Sequence, residues 1–210
     1  MTFLIASFGT LAVASYGVGS NILQFIIIPA MGLSMAVSIL VGQNIGAGNI
    51  KRASDIARLG AIISFVILSI VGIIIFIFAP NFITIFVPGD PAVIQAGTIF
   101  VRTMALTFGF MGVQMALTGV FRASGNMVVA MVLALISQWV LQFPIAYILS
   151  KHTSLSINGL WWAFPISNVL TTLITIAWYS KGDWKNKKLT EEEKLVEKVS
   201  EEILVEEGVR

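Results

Sequence analysis

Side-chain amides recur inside the apolar stretches of this sequence: Asn21 and Gln24, then Gln114, then Gln138 and Gln142, then Asn168. An amide removed from water without a hydrogen-bond partner costs roughly 2–7 kcal/mol, so each must meet a neighbouring helix or a ligand. Met31, Met35, Met111, Met115 and Phe108 lie close to these amides along the same stretches. Thioethers and aromatic rings suit core or lipid-facing packing, and equally a cavity that accepts varied apolar cations. The chemistry on offer is binding, by hydrogen bonds, dispersion and ring faces.

Acid–base and metal chemistry find less material. Asp55, Asp90, Asp183 and the tail acids all fall in expected loops or beyond them, so no apolar stretch carries a carboxylate. His152 stands beside Lys151 with neither a second His nor a carboxylate near it, which assigns it no metal or general-base role. With no cysteine there is no disulfide frame, thiolate nucleophile or Cys-based metal site. The sequence has no His-Glu metal motif and no Asp pair within an apolar stretch, so an intramembrane enzyme is not expected. No cofactor is expected.

The elements that must position these residues are transmembrane helices. Hydrophobic residues make up 57% of the 210 and charged residues only 11%, against about a quarter charged in soluble domains. A hydrocarbon core of about 30 Å needs about 20 apolar residues at 1.5 Å each. Five such runs occur: Tyr16 to Asn44, Leu59 to Ala79, Ile99 to Phe121, Val128 to Leu149 and Leu160 to Tyr179, behind a stub, Met1 to Leu11, too short to span. No basic residue precedes Lys51, so the N-terminus does not resemble a signal peptide. The fold class is an all-α integral membrane protein, with a transmembrane region over 1–182 and a charged tail over 183–210.

Lys51, Arg52 and Arg58 follow the first run, Arg122 the third, and Lys181, Lys185, Lys187 and Lys188 the fifth; the other side has Arg102 and Lys151. The positive-inside rule makes the first group cytoplasmic, with the C-terminus inside and the N-terminus outside. Trp161 and Trp162 on the outer side, and Trp178 and Tyr179 on the inner, then occupy interfacial positions as ordinary membrane-facing aromatics. Arg102, three residues inside its run, is expected to snorkel outward. Pro29, with Gly32 three residues later, predicts a kink in the first run. In the tail, Thr190 and Glu193 form a capping box ahead of Leu195, Val199 and Ile203, predicting a short amphipathic cytoplasmic helix.

The run Val41-Gly-Gln-Asn-Ile-Gly-Ala-Gly-Asn49, followed by Lys51, Arg52 and Ala53, resembles the signature loop of the multidrug and toxic compound extrusion (MATE) family. Phe8-Gly-Thr-Leu-Ala-Val-Ala-Ser-Tyr16 and Pro29-Ala-Met-Gly-Leu-Ser-Met-Ala36 are similar to the family's entry into its eighth helix and that helix's bend. Gly119-Val-Phe-Arg-Ala-Ser-Gly125 is similar to its loop between helices ten and eleven. The matches come in order, at matching spacing, over about residues 3–182. In this reading Gly42, Gln43, Gly46 and Gly48 shape a tight cytoplasmic turn where backbones approach closely, Lys51 and Arg52 meet lipid phosphates, and Arg122 belongs to the second loop.

MATE transporters have twelve helices in two facing six-helix lobes. The resemblance implies the second lobe, helices eight to twelve with a remnant of seven, and a missing first lobe. In several branches of the family an Asp on helix ten lies eleven residues before the loop arginine; here that position is Met111, while Gln114 keeps its place. The departure implies a proton or sodium site on the missing first lobe. The expected cavity residues are Asn21, Gln24, Met31, Met35, Phe108, Met111, Gln114, Gln138, Gln142 and Asn168. The expected function is part of a cation-coupled antiporter that exports organic cations or drugs across the cytoplasmic membrane. Its partners would be amphipathic or cationic small molecules, membrane lipid and a first-lobe chain or N-terminal half, with no nucleic acid. An inactive half-length fragment, a partner subunit of a split transporter and a flippase for lipid-linked precursors stand as alternatives.

Overall fold

A computed structural model describes residues 2–153, 155–185 and 199. Its helices are α1 (Thr2–Ala6), α2 (Thr10–Gly46), α3 (Ile50–Phe86), α4 (Pro91–Ala105), α5 (Phe108–Ala123), α6 (Met127–Leu135), α7 (Phe143–Lys151) and α8 (Ile157–Ser180). A π-helical segment, Ile136–Gln142, joins α6 to α7. The amphipathic helix expected from Thr190 onward lies outside the described residues, apart from Val199.

Among the described residues, four helices are long and apolar enough to cross a membrane: α2, α3, α8 and the continuous α6–π–α7 unit, Met127–Lys151. The fifth crossing is α4 with α5, bent by 51° at the break between them. The chain is therefore a multi-pass, all-α membrane protein. At 37 residues each, α2 and α3 are about 55 Å long and exceed the hydrocarbon core.

The helix α2 is continuous through Pro29, the position expected to kink. A break occurs at a place that the sequence does not mark. The third crossing, expected as one run, instead stops at Ala105 and restarts at Phe108, with no proline between. Tertiary packing explains the stop: a Cβ on Gly72 of α3 would lie 2.7 Å from the Ala105 carbonyl oxygen. The two backbones meet where α4 ends. The fourth crossing is irregular too, since Pro144 lacks the amide proton for a regular ladder, and one turn widens into the π segment.

Helices α2, α3 and α5 pack against one another, α4 lies on α2 and α3, and α8 packs on α4, α5 and α7. One apolar cluster gathers Ile22, Ile26, Leu68, Phe100 and Trp161; the other, toward the opposite end, gathers Val41, Ala57, Val120, Leu133 and Trp184. Trp161 corrects the interfacial reading. It is 1% exposed, 4.6 Å from the Phe100 ring and stacked on Tyr16 at 6.5 Å, whereas Trp162 is 44% exposed.

Asp90 caps α4, its Oδ1 accepting from the amides of Ala92 (3.1 Å) and Val93 (3.2 Å). Asp55 is on a helix rather than in a loop, within the first turns of α3 and exposed.

Candidate functional site

Side chains three or four residues apart share a helix face. On α2, Asn21, Gln24, Met31 and Met35 fall on one such face and are all exposed at the surface of the chain. The opposite face, with Ile22, Ile26, Ala30, Ser34 and Val37, is buried. The polar and thioether stripe therefore faces away from the bundle.

On α5, Met111 and Gln114 are half-buried. This helix is fastened to α2 near the motif residues: Ser34 Oγ donates to the Met115 carbonyl (2.6 Å), and Arg122 Nη2 donates to Ser34 Oγ (3.0 Å). A cleft of about 200 Å³ opens beside this link, lined by Ser34, Met35, Ser38, Ile39 and Arg122. The fold thus brings Met35 to the loop arginine.

A second group is separate. Gln138, exposed, and Gln142, half-buried, both sit in the π segment, which packs on α8 with its half-buried Asn168. Hydrogen-bonded side-chain amides among the described residues are Asn44, donating to the Leu40 carbonyl (2.8 Å), and Asn126, donating to Ser124 Oγ (3.3 Å). The six candidate amides are not among them. Phe108 departs from the cavity reading: it is 1% exposed, in the core against Gly72, because α5 restarts tucked under α3.

The loop residues divide by role. Gly48 takes φ 75°, with its amide bonded to the Ile45 carbonyl (3.0 Å) and the Asn49 amide to the Asn44 carbonyl (2.8 Å). This is a Schellman stop. Gly125 repeats it at φ 76°, with Gly125 bonded to Arg122 (3.2 Å) and Asn126 to Phe121 (2.9 Å). Gly42 and Gly46 do not make the close backbone approach expected of them. A Cβ on Gly42 would rest 3.8 Å from Ala123 Cβ, and one on Gly46 would meet nothing within 4 Å. Gln43 and Arg52 are exposed. Gly48→Ala is therefore expected to cost about 1–2 kcal/mol for a left-handed alanine. Gly46→Ala is expected to be neutral or to gain up to about 1 kcal/mol. Unfolding in mixed micelles, followed by helical circular dichroism, separates the two.

Two features escaped the sequence reading. The close approaches lie deeper, where a Cβ on Gly112 would meet the Ser64 carbonyl oxygen at 2.6 Å and one on Gly119 that of Ser34 at 2.6 Å. Arg102 does not snorkel outward: its Nε donates to the Phe76 carbonyl (3.0 Å), with the guanidinium 5.4 Å from the Phe76 ring. That carbonyl would ordinarily accept from residue 80, which is proline and has no amide proton. Pro80, directly after the second apolar run, was the signal available.

The MatE family model matches residues 1–148. The chain is 29% identical over 189 residues to the probable multidrug resistance protein NorM of Thermotoga maritima, covering 90% of this chain and 40% of that protein. It is 32% identical over 186 residues to the probable multidrug resistance protein YpnP of Bacillus subtilis, covering 89% and 41%. Among solved structures, an outward-facing MATE family transporter of the MOP superfamily superposes with a TM-score of 0.80 at 19% identity, over 89% of this chain and 41% of that one. The MATE transporter ClbM in complex with Rb+ gives 0.77 at 22% identity, over 91% and 42%. The chain therefore spans about 40% of the length of the relatives it matches. By the family model, the motif order and the fold together, this chain belongs to the MATE family.

Proposed function

We propose that this chain forms the second lobe of a cation-coupled exporter of organic cations and other amphipaths, and that it exports only when a first lobe faces it. The observation that carries the reading is the outward stripe on α2, where Asn21, Gln24, Met31 and Met35 are exposed at the surface of the chain. Amides and thioethers on the exposed face of a membrane helix suit a wall that amphipathic cations slide along. Family membership and the names of the relatives support export of drug-like molecules.

Protons or sodium are the coupling species in this reading. Asp90 is engaged as a helix cap and Asp55 and Asp183 lie near helix ends, which supports a coupling carboxylate on the first lobe. The Rb+ complex of ClbM supports a monovalent cation. The basic residues Lys51, Arg52, Arg58, Arg122, Lys181 and Lys185 cluster at one set of helix ends, which supports a cytoplasmic C-terminus, an N-terminus outside and residence in the cytoplasmic membrane.

The test uses this chain co-reconstituted with a first-lobe chain in vesicles. Gln24→Leu combined with Gln114→Leu is expected to lower kcat/KM for a fluorescent organic cation about tenfold, the loss of roughly one net hydrogen bond. Ile73→Leu, remote from the stripe, should leave efflux unchanged. Undiminished efflux in the double variant would remove this face from the transport route.

A further inference from the structure

A groove of about 560 Å³ runs between α3, α5 and α8, and none of the ten candidate cavity residues lines it. Its two ends differ. Ser54, Arg58 and Tyr179 stand at one end, near the start of α3 and the end of α8. At the other, Phe65 and Phe110 meet edge to face at 5.7 Å, and Thr172 Oγ1 donates to the Phe110 carbonyl (3.0 Å), fastening α8 to α5. The walls between are aliphatic, including Ile62 and Val113. The groove carries Arg58 at one end, is apolar along its length and ends at a pair of aromatic rings.

Its depth fits within one membrane leaflet. A 55 Å helix centred on a 30 Å core leaves about 12 Å outside at each end, which is eight residues at 1.5 Å. Arg58 is eight residues after Ile50, the first of α3, and directly precedes the apolar run that starts at Leu59, which puts it at the hydrocarbon boundary of a helix so centred. From Arg58 to Phe65 the groove descends about 10 Å into a leaflet about 15 Å deep. Asp55, one turn before Arg58, does not line it but lies within electrostatic reach of Tyr179, so Lys181 and Lys185 are needed to keep the mouth net positive. Beyond Tyr179, Lys181 and Lys185 add positive charge, each near a tryptophan ring (5.9 Å).

We propose that this groove holds one anionic phospholipid, its phosphate on Arg58 with Ser54 and Tyr179 beside it, and one acyl chain laid along the aliphatic walls to the Phe65–Phe110 pair. Guanidinium is the donor group best matched to phosphate, and a cation at the mouth disfavours the organic cations proposed for the α2 face. The site is independent of that transport reading.

The test is lipid retention by the purified full chain in detergent, read by native mass spectrometry with phosphatidylglycerol and phosphatidylcholine of identical acyl chains. Phosphatidylglycerol should be retained about fivefold better, the weight of one basic side chain near an anionic lipid. Arg58→Gln should abolish the preference, Arg58→Lys should keep it, and Lys151→Gln, at the opposite set of helix ends and outside the groove, should leave it intact. Ala61→Trp, filling the groove, should lower retention of both lipids. Equal retention of the two lipids by the unmodified chain would overturn the proposal, as would a preference insensitive to Arg58→Gln. Displacement of phosphatidylglycerol by millimolar inorganic phosphate would also overturn it, by showing a bare anion site. Because no step depends on efflux, failure here and failure of transport are distinguishable.

Discussion

Gly119→Ala is expected to destabilise the bundle by about 1–3 kcal/mol, and Gly119→Leu to prevent recovery of folded chain. An alanine in place of a helical glycine ordinarily gains about 0.5–1 kcal/mol, so the expected sign is inverted. The reason is backbone proximity. The new Cβ would lie 2.6 Å from the Ser34 carbonyl oxygen and 3.0 Å from Ser34 Oγ, and no side chain can rotate away to relieve a clash with backbone. Separation of α2 from α5 would also break the Ser34–Met115 and Arg122–Ser34 hydrogen bonds. Equilibrium unfolding in mixed micelles, followed by helical circular dichroism, measures the effect. A stabilised Gly119→Ala chain would show that the two helices do not cross where described.

Arg102→Met is expected to cost about 1.5–3 kcal/mol, because it leaves the Phe76 carbonyl with neither a ladder amide nor a side-chain donor. Pro80→Ala should return the ladder amide and make Arg102 dispensable. In the Pro80→Ala background the cost of Arg102→Met should therefore fall by about 1–3 kcal/mol, a coupling resolved by a double-mutant cycle. Equal costs in both backgrounds would show that Arg102 serves some other contact. Arg102 is thus a cation retained within the α4–α5 crossing because a proline on the facing helix needs it.

The crossings were legible because lipid enforces a length and an apolar composition, and α2, α3, α6–π–α7 and α8 all contain the runs expected of them. What lipid does not enforce is which side of a helix faces protein. In a segment hydrophobic all round, periodicity carries little directional signal, so Trp161 and Phe108 could be assigned to interface and cavity although both are core residues. The irregular points followed the same division. Pro29 was visible, and α2 runs through it as one helix. The break at Leu106 and Thr107 was invisible, since it follows from the contact between Gly72 and the Ala105 backbone, distant in sequence.

The candidate site was partly legible. The sequence put Asn21, Gln24, Met31 and Met35 near one another along one apolar run, and the structure puts them on one exposed face of α2. The motif around Gly48 and the one around Gly125 were recognisable as loops, and both end helices with the same hydrogen-bond pattern. The binding of Arg122 to Ser34 was hidden, being a contact between residues 88 apart in the chain.

The central claim, that this chain is one lobe of an exporter and needs the other, is tested most directly by efflux of a fluorescent organic cation from vesicles under an imposed proton or sodium gradient. The chain is measured alone and then with a first-lobe chain. The expected result is no gradient-driven efflux from the chain alone and efflux once the first lobe is present. Gradient-driven efflux from the chain alone would contradict the claim, placing the coupling group and a complete route within these 210 residues.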